Sequence, residues 1–309
     1  MDRLMQSRAV RVILAGFTLA LAAAALVTLA KQTSPAQLLQ ALRSTDGWLL
    51  ALGVLPALAL NQVSRSGRFA SLLRGAAGRR PRITHLLPAI LLSQAANNVL
   101  PLRAGEAVRT RETVARGIPL AKVVSAQVLE KTLEVVLMIL VVAPAFALGV
   151  LPHVRALPVV VCVAVLVGAA VLVLQFRGRA GWLARVTDWS RGDLASAVAW
   201  GLAADAAEIL VIALTARAVG LPLGIAGSTA VLGSVNLAIL LPSTPANLGT
   251  LECGAAVALL GLGMPREGAL AFALVYRLVQ FVPVTLTGGA VFAARGLPAF
   301  LALRKRTTP

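Results

Sequence analysis

Long apolar runs separated by short basic stretches organise this chain. Six of the runs are long enough, at ~1.5 Å per helical residue, to cross the ~30 Å hydrocarbon layer of a bilayer. They cover residues 12–30, 47–64, 121–143, 157–176, 194–216 and 268–293. The pattern predicts an all-α polytopic membrane protein with six full spans.

Three further apolar segments are interrupted. Residues 83–100 end just before Pro101, and residues 225–241 and 251–263 flank a turn that contains two prolines and a glycine. Short apolar segments broken by Pro and Gly are typical of re-entrant or discontinuous membrane helices. We therefore predict two re-entrant or broken helix elements besides the six spans.

The amino-acid composition is also that of a membrane protein. Hydrophobic residues make up 58% of the 309 residues and charged residues 13%, with a mean hydropathy of +0.85. A soluble surface needs roughly a quarter of its residues charged, so no soluble domain is expected. The net charge of +17 does not indicate a nucleic-acid partner, because the basic residues are spread over many loops instead of forming one face.

The distribution of the 29 Lys and Arg residues predicts the orientation, since cytoplasmic loops carry the excess of positive charge. If the six long runs cross and the interrupted segments re-enter, few basic residues fall outside: Lys31, Arg43, Arg155, Arg217 and Arg266. Full crossing by the interrupted segments would place more basic residues outside than inside. The expected location is the bacterial cytoplasmic (inner) membrane, multi-pass, with both termini cytoplasmic.

An internal repeat divides the chain. Three sets of residues recur at a spacing of 146: Gly117-Ile118-Pro119 with Gly263-Met264-Pro265, Glu106 with Glu252, and Lys131 with Arg277. The two units, 1–152 and 153–309, each hold three spans and one interrupted element. An odd number of crossings requires the second copy to be inserted upside down, so we predict two inverted-topology repeats.

Ionisable and polar side chains lie inside the predicted spans. They are Gln127, Glu130, Lys131 and Glu134 in one span, Asp205 and Glu208 in another, and Tyr276, Arg277 and Gln280 in the last. A charge at mid-bilayer costs ~2.5–3.5 kcal/mol, so we expect these groups to face a common interior. Three interpretations stay open: structural salt bridges, with Lys131 paired with an acidic neighbour and Arg277 with Asp205 or Glu208; a groove for a lipid headgroup; and ion or proton coupling through the carboxylates. The repeat also places Lys131 and Arg277 near each other.

A strongly polar segment precedes the third long run. Arg103, Glu106 and Arg109 belong to a stretch too polar for hydrocarbon, and we expect a short amphipathic helix at the cytoplasmic face that gathers anionic headgroups. Asparagines near the breaks are expected to cap free backbone groups there: Asn97, Asn98, Asn236 and Asn247.

Two stretches resemble the signatures of a known family. Residues 97–106 followed by Glu130-Lys131, and residues 241–252 followed by Tyr276-Arg277, resemble the lysylphosphatidylglycerol synthase transmembrane-region family of flippase-like proteins. That family includes the flippase half of the bacterial multiple peptide resistance factor, which is thought to move aminoacylated phospholipid between leaflets. The resemblance implies lipid handling; since no aminoacyl transferase domain follows, lipid synthesis is not expected. The candidate substrate-binding residues are Arg103, Glu106, Arg109, Glu130, Lys131, Glu134, Asp205, Glu208, Asn247, Glu252, Tyr276 and Arg277.

No motif for catalysis stands out, since the sequence has no metal-ligand spacing, no Ser-His-Asp set and no phosphate-binding glycine loop. We expect no enzyme activity, no cofactor and no metal. The predicted function is flippase- or scramblase-like movement of a phospholipid, aminoacylated lipid, glycolipid or hopanoid-type lipid. The alternatives are an ion-coupled transporter of a small amphiphilic solute and an intramembrane lipid-modifying enzyme. Membrane lipids are the expected partners, and a homo-oligomer is compatible with the sequence.

Overall fold

The computed structural model describes residues 35–73, 80–99, 105–147, 189–240 and 249–306. Within these ranges the chain is helical and has no strand. In chain order the helices are α1 (Pro35–Arg43), α2 (Gly47–Leu72), α3 (Ile83–Val99), α4 (Gly105–Val114), α5 (Leu120–Ala147), α6 (Arg191–Ala218), α7 (Ile225–Leu240), α8 (Thr250–Gly261) and α9 (Arg266–Arg306). The predicted spans 12–30 and 157–176 lie outside the described residues.

Three described helices are long and apolar enough to cross a membrane: Gly47–Leu72, Arg191–Ala218 and Arg266–Ala294. They correspond to three of the predicted spans, which confirms a helical membrane protein. The fourth predicted span within the described residues, α5, is 28 residues long but carries Glu130, Lys131 and Glu134 near its middle. Those charges need a polar environment inside the protein, and their partners are described below.

Helix α2 begins and ends at identifiable signals. Asp46 caps its first turn by accepting a hydrogen bond from Leu49 N at 3.0 Å. A π-helical turn, Leu50–Val54, ends two residues before Pro56, whose ring nitrogen has no hydrogen to donate to the α-helical ladder. The predicted end at residue 64 is wrong, because the helix continues to Leu72. Arg65 and Arg68 are therefore helical residues and not part of a cytoplasmic loop.

The interrupted segments form short helices. Helix α3 has 17 residues and contains Pro88, whereas α4 has 10, α7 has 16 and α8 has 12. Each is shorter than the ~20 residues that a perpendicular crossing requires. The segments that join α3 to α4 and α7 to α8 lie outside the described residues.

The repeated Gly-X-Pro motif has the same local conformation at both of its positions. Gly117 follows α4 with a φ of 81°, and Gly263 follows α8 with a φ of 77°. Left-handed glycine ends a helix without the strain that a Cβ atom would cause. In each copy the proline two residues later directly precedes the next long helix, α5 or α9, where a missing N–H group is tolerated.

Close helix packing positions the interior. Helix α2 packs along α6, α3 packs against α9, and α7 packs against α5, while α4 lies on α3 and α8 on α7. Glycines permit the closest approaches: a Cβ atom on Gly288 of α9 would fall 2.5 Å from the carbonyl oxygen of Leu91 on α3. One apolar core surrounds Phe272 and Tyr276, and a second surrounds Phe69 and Leu86.

Candidate functional site

A polar cavity of about 210 Å³ lies among α2, α3, α5, α6, α7, α8 and α9. Its charged lining consists of the carboxylates of Glu134, Asp205 and Glu208 and the guanidinium groups of Arg65 and Arg277. Amide side chains from α3, α7 and α9 and apolar residues complete the wall. This space is called the first cavity below.

Glu208 anchors α9 to α6 at the first cavity. Its side chain is buried and accepts hydrogen bonds from the Tyr276 hydroxyl at 2.6 Å and from Gln280 Nε2. Tyr276 is itself only 2% exposed and stacks on Phe272, with ring centroids 5.4 Å apart. The predicted inward orientation of Glu208, Tyr276 and Gln280 is therefore confirmed.

Arg277 connects the first cavity to α8. Its Nε atom lies 3.5 Å from Glu252 Oε1, and its guanidinium group lies 5.4 Å from the centroid of the Phe281 ring. The second carboxylate oxygen of Glu252 accepts the backbone N–H of Gly249 at 2.9 Å and so caps the start of α8. One of the three sequence interpretations paired Arg277 with Asp205 or Glu208; in the structure it forms an ion pair with Glu252, because α8 packs against α9.

Asp205 lines the first cavity with one carboxylate oxygen unpaired. Its Oδ2 atom is buried and has no hydrogen-bond partner within the described residues. It also lies close enough to the arginines of α2 and to Glu134 and Glu208 to interact with them electrostatically. Asp205 therefore lines a shared polar space and keeps one buried carboxylate oxygen without a partner among the described residues.

A second, smaller cavity of about 90 Å³ adjoins the first and shares with it the side chains of Arg65, Gln94 and Asn97. Its lining also includes charged residues from α2, α4 and α5: Arg68, Glu106, Arg109, Glu130 and Lys131. This space is called the second cavity below.

Glu130 is the centre of the ion pairs at the second cavity. It is 2% exposed, and its carboxylate accepts hydrogen bonds from Arg109 Nη1 at 2.7 Å and from Arg68 Nη2 at 3.5 Å. The other terminal nitrogen of Arg109 donates to Glu106 at 2.7 Å, and the guanidinium group lies 4.5 Å from the Phe69 ring centroid. Burial tends to lower the pKa of Arg109, but the carboxylates of Glu130 and Glu106 outweigh it and raise that pKa above its ordinary value.

Glu134 links the two cavities. It lies 3.4 Å from Arg65 Nη1, 3.5 Å from Arg68 Nη2 and 2.9 Å from Lys131 Nζ. The Lys131 side chain remains 52% exposed, so its stem covers the surface of α5 while its ammonium group reaches back to Glu134. The predicted pairing of Lys131 with an acidic neighbour is confirmed.

Ten of the twelve candidate residues lie in the described part of the chain, and Arg103 and Asn247 lie outside it. The first cavity receives Glu134, Asp205, Glu208, Tyr276 and Arg277, and the second receives Glu106, Arg109, Glu130 and Lys131. Glu252 lines neither cavity, and its ion pair with Arg277 connects it to the first one. The expected common interior is thus two adjoining cavities, and Lys131 and Arg277 line different ones.

Helix α4 is the short helix that the sequence predicted, but one of its basic side chains is buried. Arg109 is only 5% exposed, since α4 packs between α3 and α5 and turns this side chain inward. Asn97 secures the contact by accepting the backbone N–H of Gly105 at 2.8 Å, which confirms its predicted capping role. Asn98 donates to Thr285 on α9, and Asn236 donates to a carbonyl oxygen within its own helix.

Arg65 and Arg68 are the site residues that the sequence interpretation missed. Both occur directly after an apolar run, the position typical of a cytoplasmic basic flank. A weak signal was present, because no proline follows Pro56 before Pro81 and the polar residues Asn61, Arg65 and Arg68 recur at helical spacing. In the structure Asn61 is 1% exposed and accepts Arg65 Nε at 2.9 Å.

Within the described ranges no group of three or more His, Cys, Asp or Glu side chains is arranged to hold a metal ion. What the described helices do present is a helical membrane protein with ion-paired cavities in its interior. The chain belongs to the family described as the lysylphosphatidylglycerol synthase TM region, whose model matches residues 13–288. Both motif stretches and the described cavity residues fall within that match. A comparison with curated proteins finds no match.

Proposed function

We propose that this protein moves a membrane lipid between the two leaflets, as a flippase or scramblase. The observation that carries the proposal is the pair of charged cavities among helices that are long and apolar enough to cross a membrane. Family membership adds a link to lipids. The substrate class is a phospholipid, aminoacylated lipid, glycolipid or hopanoid-type lipid, whose headgroup enters the cavities while its hydrocarbon part stays in the bilayer.

The charges of the site suit a polar headgroup. Within the described residues both cavities contain cations and carboxylates, and the first also contains amides and a tyrosine. A buried ion requires a counter-ion or hydrogen bonds to offset the loss of water. A headgroup that carries phosphate and hydroxyl or amino groups offers replacement partners to both kinds of charge, and so it can pass where an apolar group cannot.

We further propose that the chain is built from two inverted repeats, 1–152 and 153–309, with six spans and two re-entrant elements. The helix contacts support this arrangement, because α2 packs along its counterpart α6, and the contact of α3 with α9 has its counterpart in that of α7 with α5. The matching turns at Gly117 and Gly263 support it as well. Rocking of one repeat against the other would expose the cavities to each side in turn.

Lipid exchange in liposomes tests the proposed function. Purified protein is reconstituted with fluorescent phosphatidylglycerol, and an impermeant quencher reports the label that reaches the outer leaflet. We expect faster exchange than in protein-free liposomes, with the lipid chemically unchanged by mass spectrometry. The Arg277→Met variant should slow exchange, because Arg277 lines the first cavity, whereas Arg217→Met, at the exposed end of α6, should not. Exchange no faster than without protein contradicts the proposal, and a new lipid product would indicate an enzyme.

The proposed orientation, with both termini cytoplasmic, has its own test. Single cysteines at exposed Ser44 and Thr84 are introduced into a variant in which Cys162 and Cys253 are serine. An impermeant thiol reagent added outside should label the cysteine at position 44 in intact cells, and the one at position 84 only after permeabilisation. The reverse pattern would overturn the orientation.

Ion-coupled transport of a small amphiphilic solute is a second candidate, favoured by Asp205. Its side chain lines the first cavity and has an unpaired buried oxygen, and buried carboxylates are the usual relay groups of coupled transporters. Imposed proton and sodium gradients across the same liposomes separate the candidates. Lipid exchange that is independent of both gradients and unchanged in Asp205→Asn would remove the coupled mechanism.

A further inference from the structure

The two cavities are counterparts under the proposed repeat. Among the described residues, every side chain that lines the second cavity belongs to the first repeat, and most of those that line the first cavity belong to the second repeat. The first cavity is the larger, at about 210 Å³ against about 90 Å³. Two copies of one unit that hold unequal cavities have different conformations, as inverted repeats do in each state of an alternating mechanism.

The helices around the cavities differ in the same way. Within the described ranges, α8 packs on α9 more extensively than α4 packs on α5, and α3 packs on α9 more extensively than α7 packs on α5. Each comparison is between counterparts, because α5 begins at Leu120 and α9 at Arg266, 146 residues later. The short helix α4 is therefore the looser of the two copies in this structure.

One ion pair distinguishes the two copies. In the second copy, Glu252 of α8 lies with Oε1 3.5 Å from Nε of Arg277 on α9. The residues 146 positions earlier are Glu106 of α4 and Lys131 of α5. Both line the second cavity, but in this structure each of them is paired with another residue. The first copy thus contains the two charges of the pair without the contact between them.

Lys131 can reach Glu106 with a small movement. Gln127, one turn before Lys131 on α5, donates from Nε2 to the carbonyl oxygen of Glu106 at 3.4 Å. Residues one turn apart lie on the same face of a helix, and the lysine ammonium group is carried on a flexible four-carbon stem. Both charged side chains are accessible to water, at 39% for Glu106 and 52% for Lys131. Rotation of the lysine and a closer approach of α4 would bring the two charges together.

This change leaves the charges of the first copy paired. Glu134 keeps both arginines of α2 when Lys131 leaves it. Glu106 binds Arg109 through Oε2, so Oε1 can accept Lys131 while that ion pair remains. Breaking a buried ion pair is costly because it leaves one charge without a partner, and no such charge arises here.

The second copy also has replacement partners. When Arg277 separates from Glu252, it still lines the first cavity together with the carboxylates of Asp205 and Glu208. Glu252 keeps the backbone N–H of Gly249 through its other oxygen. The same residues therefore support two arrangements in which the buried charges are paired, and such arrangements can be close enough in free energy to interconvert.

We propose that the protein has a second state in which the two copies exchange conformations, so that Glu106 binds Lys131 and Glu252 releases Arg277. In that state α4 packs on α5 as α8 packs on α9 in this structure, and the second cavity is the larger one. The inference rests on the proposed repeat and deepens the proposed function, because it identifies the ion pairs whose exchange accompanies lipid movement. The competing explanation is a permanent difference between the copies, and the experiment separates the two.

Zero-length crosslinking with a water-soluble carbodiimide reports the pairing in the full chain in liposomes. The reagent joins a carboxylate to a lysine amine when the two groups are in contact, and peptide mass spectrometry identifies the product. The product of Lys131 with Glu134, called the resting crosslink, reports the arrangement in this structure. The product of Lys131 with Glu106, called the second-state crosslink, reports the exchanged one. Any product of Lys131 with Glu112, which is on α4 but lines neither cavity, measures non-specific reaction.

Glu252→Gln should shift the balance towards the second state. The substitution removes the ion pair with Arg277, which only the arrangement in this structure contains, and it keeps a side-chain oxygen that can cap α8. We expect the yield of the second-state crosslink to rise roughly fivefold or more relative to the resting crosslink. The matched control is Glu267→Gln in the first turn of α9, which removes the same charge outside both cavities and should change neither yield.

A bridge between α3 and α9 should have the opposite effect. Asn98 donates to Thr285 at 2.8 Å, so cysteines at these positions can be joined by a short bifunctional thiol reagent in a variant in which Cys162 and Cys253 are serine. The second state loosens this contact, because the counterpart helices α7 and α5 are packed less extensively. We expect the bridge to reduce the second-state crosslink to background and to leave the resting crosslink unchanged.

The proposal is overturned if the resting crosslink forms but the second-state crosslink stays at background in both wild type and Glu252→Gln. It is also overturned if neither Glu252→Gln nor the bridge changes the yield. Crosslinking requires no lipid movement, so its result is independent of the exchange assay. A protein that shows the expected yields but does not exchange lipid refutes the proposed function alone, and one that exchanges lipid without the second-state crosslink refutes the second state alone.

Discussion

Glu130→Gln is the perturbation that most directly tests the buried ion pairs. The substitution keeps the shape of the side chain and one carbonyl oxygen but removes the negative charge that Arg109 and Arg68 share. Both arginines are more than nine-tenths buried, and an arginine cannot release its proton to escape the penalty. The variant therefore leaves buried positive charge that must stay charged.

The ion pairs that remain in Glu130→Gln determine how much stability the variant loses. Removing one partner of a buried ion pair costs ~3–5 kcal/mol. Arg109 keeps Glu106 at 2.7 Å, and Arg68 keeps Glu134 at 3.5 Å, so each retains one carboxylate. We therefore expect the lower end of that range, a decrease of about 3 kcal/mol in the free energy of unfolding. That corresponds to a change of roughly a hundredfold in the folding equilibrium.

Glu112→Gln is the matched control on the neighbouring helix α4. Glu112 lies 3.5 Å from Arg116 in an i,i+4 pair, with side chains 30% and 26% exposed. Such pairs contribute only ~0.3–0.5 kcal/mol, so this variant should unfold almost as wild type does. Unfolding is followed by circular dichroism while purified protein in mild detergent is titrated with a denaturing detergent. A loss for Glu130→Gln no larger than that of Glu112→Gln would refute the assignment of Glu130 as a buried counter-ion.

Two neighbouring glycines of α9 give a paired prediction for thermal unfolding. Gly288→Ala should destabilise the protein by ~1–3 kcal/mol, because the added Cβ atom would clash with α3. Gly289→Ala should be neutral or slightly stabilising, because a Cβ atom there would have no other atom within 4 Å. Lys131→Met should lower the melting temperature less than Arg277→Met, because the Lys131 side chain is 52% exposed and that of Arg277 is 12% exposed; equal losses would contradict this ranking. Tyr276→Phe should cost ~1.5–3 kcal/mol, since it removes a buried hydrogen bond to a carboxylate, and an unchanged melting temperature would argue against that bond.

The sequence predicted helices well where the signal comes from residues close to one another in the chain. Apolar length predicted α6 and the membrane-capable part of α9. The capping box of Ser190 and Asp193 begins α6 within four residues of sequence. These features depend on backbone preferences and on contacts one turn away, which neighbouring residues largely determine.

The sequence by itself also determined that charged side chains had to lie inside the protein, because Glu130, Glu134, Asp205 and Glu208 occur on helices otherwise suited to lipid. It did not determine their partners. Arg68 meets Glu130 across 62 residues of chain, and Tyr276 meets Glu208 across 68, so each contact exists only because helices from distant parts of the chain pack together.

The two arginines of α2 show most clearly what the sequence could not predict. By position they matched a basic cytoplasmic flank, and only the packing of α2 against α5 and α6 brought Arg65 and Arg68 to buried carboxylates. The physical reason is that the free energy of a charge depends on what surrounds it in space. Local sequence determines that a helix forms, whereas the tertiary structure decides whether its charged residue faces water, a counter-ion or a ligand.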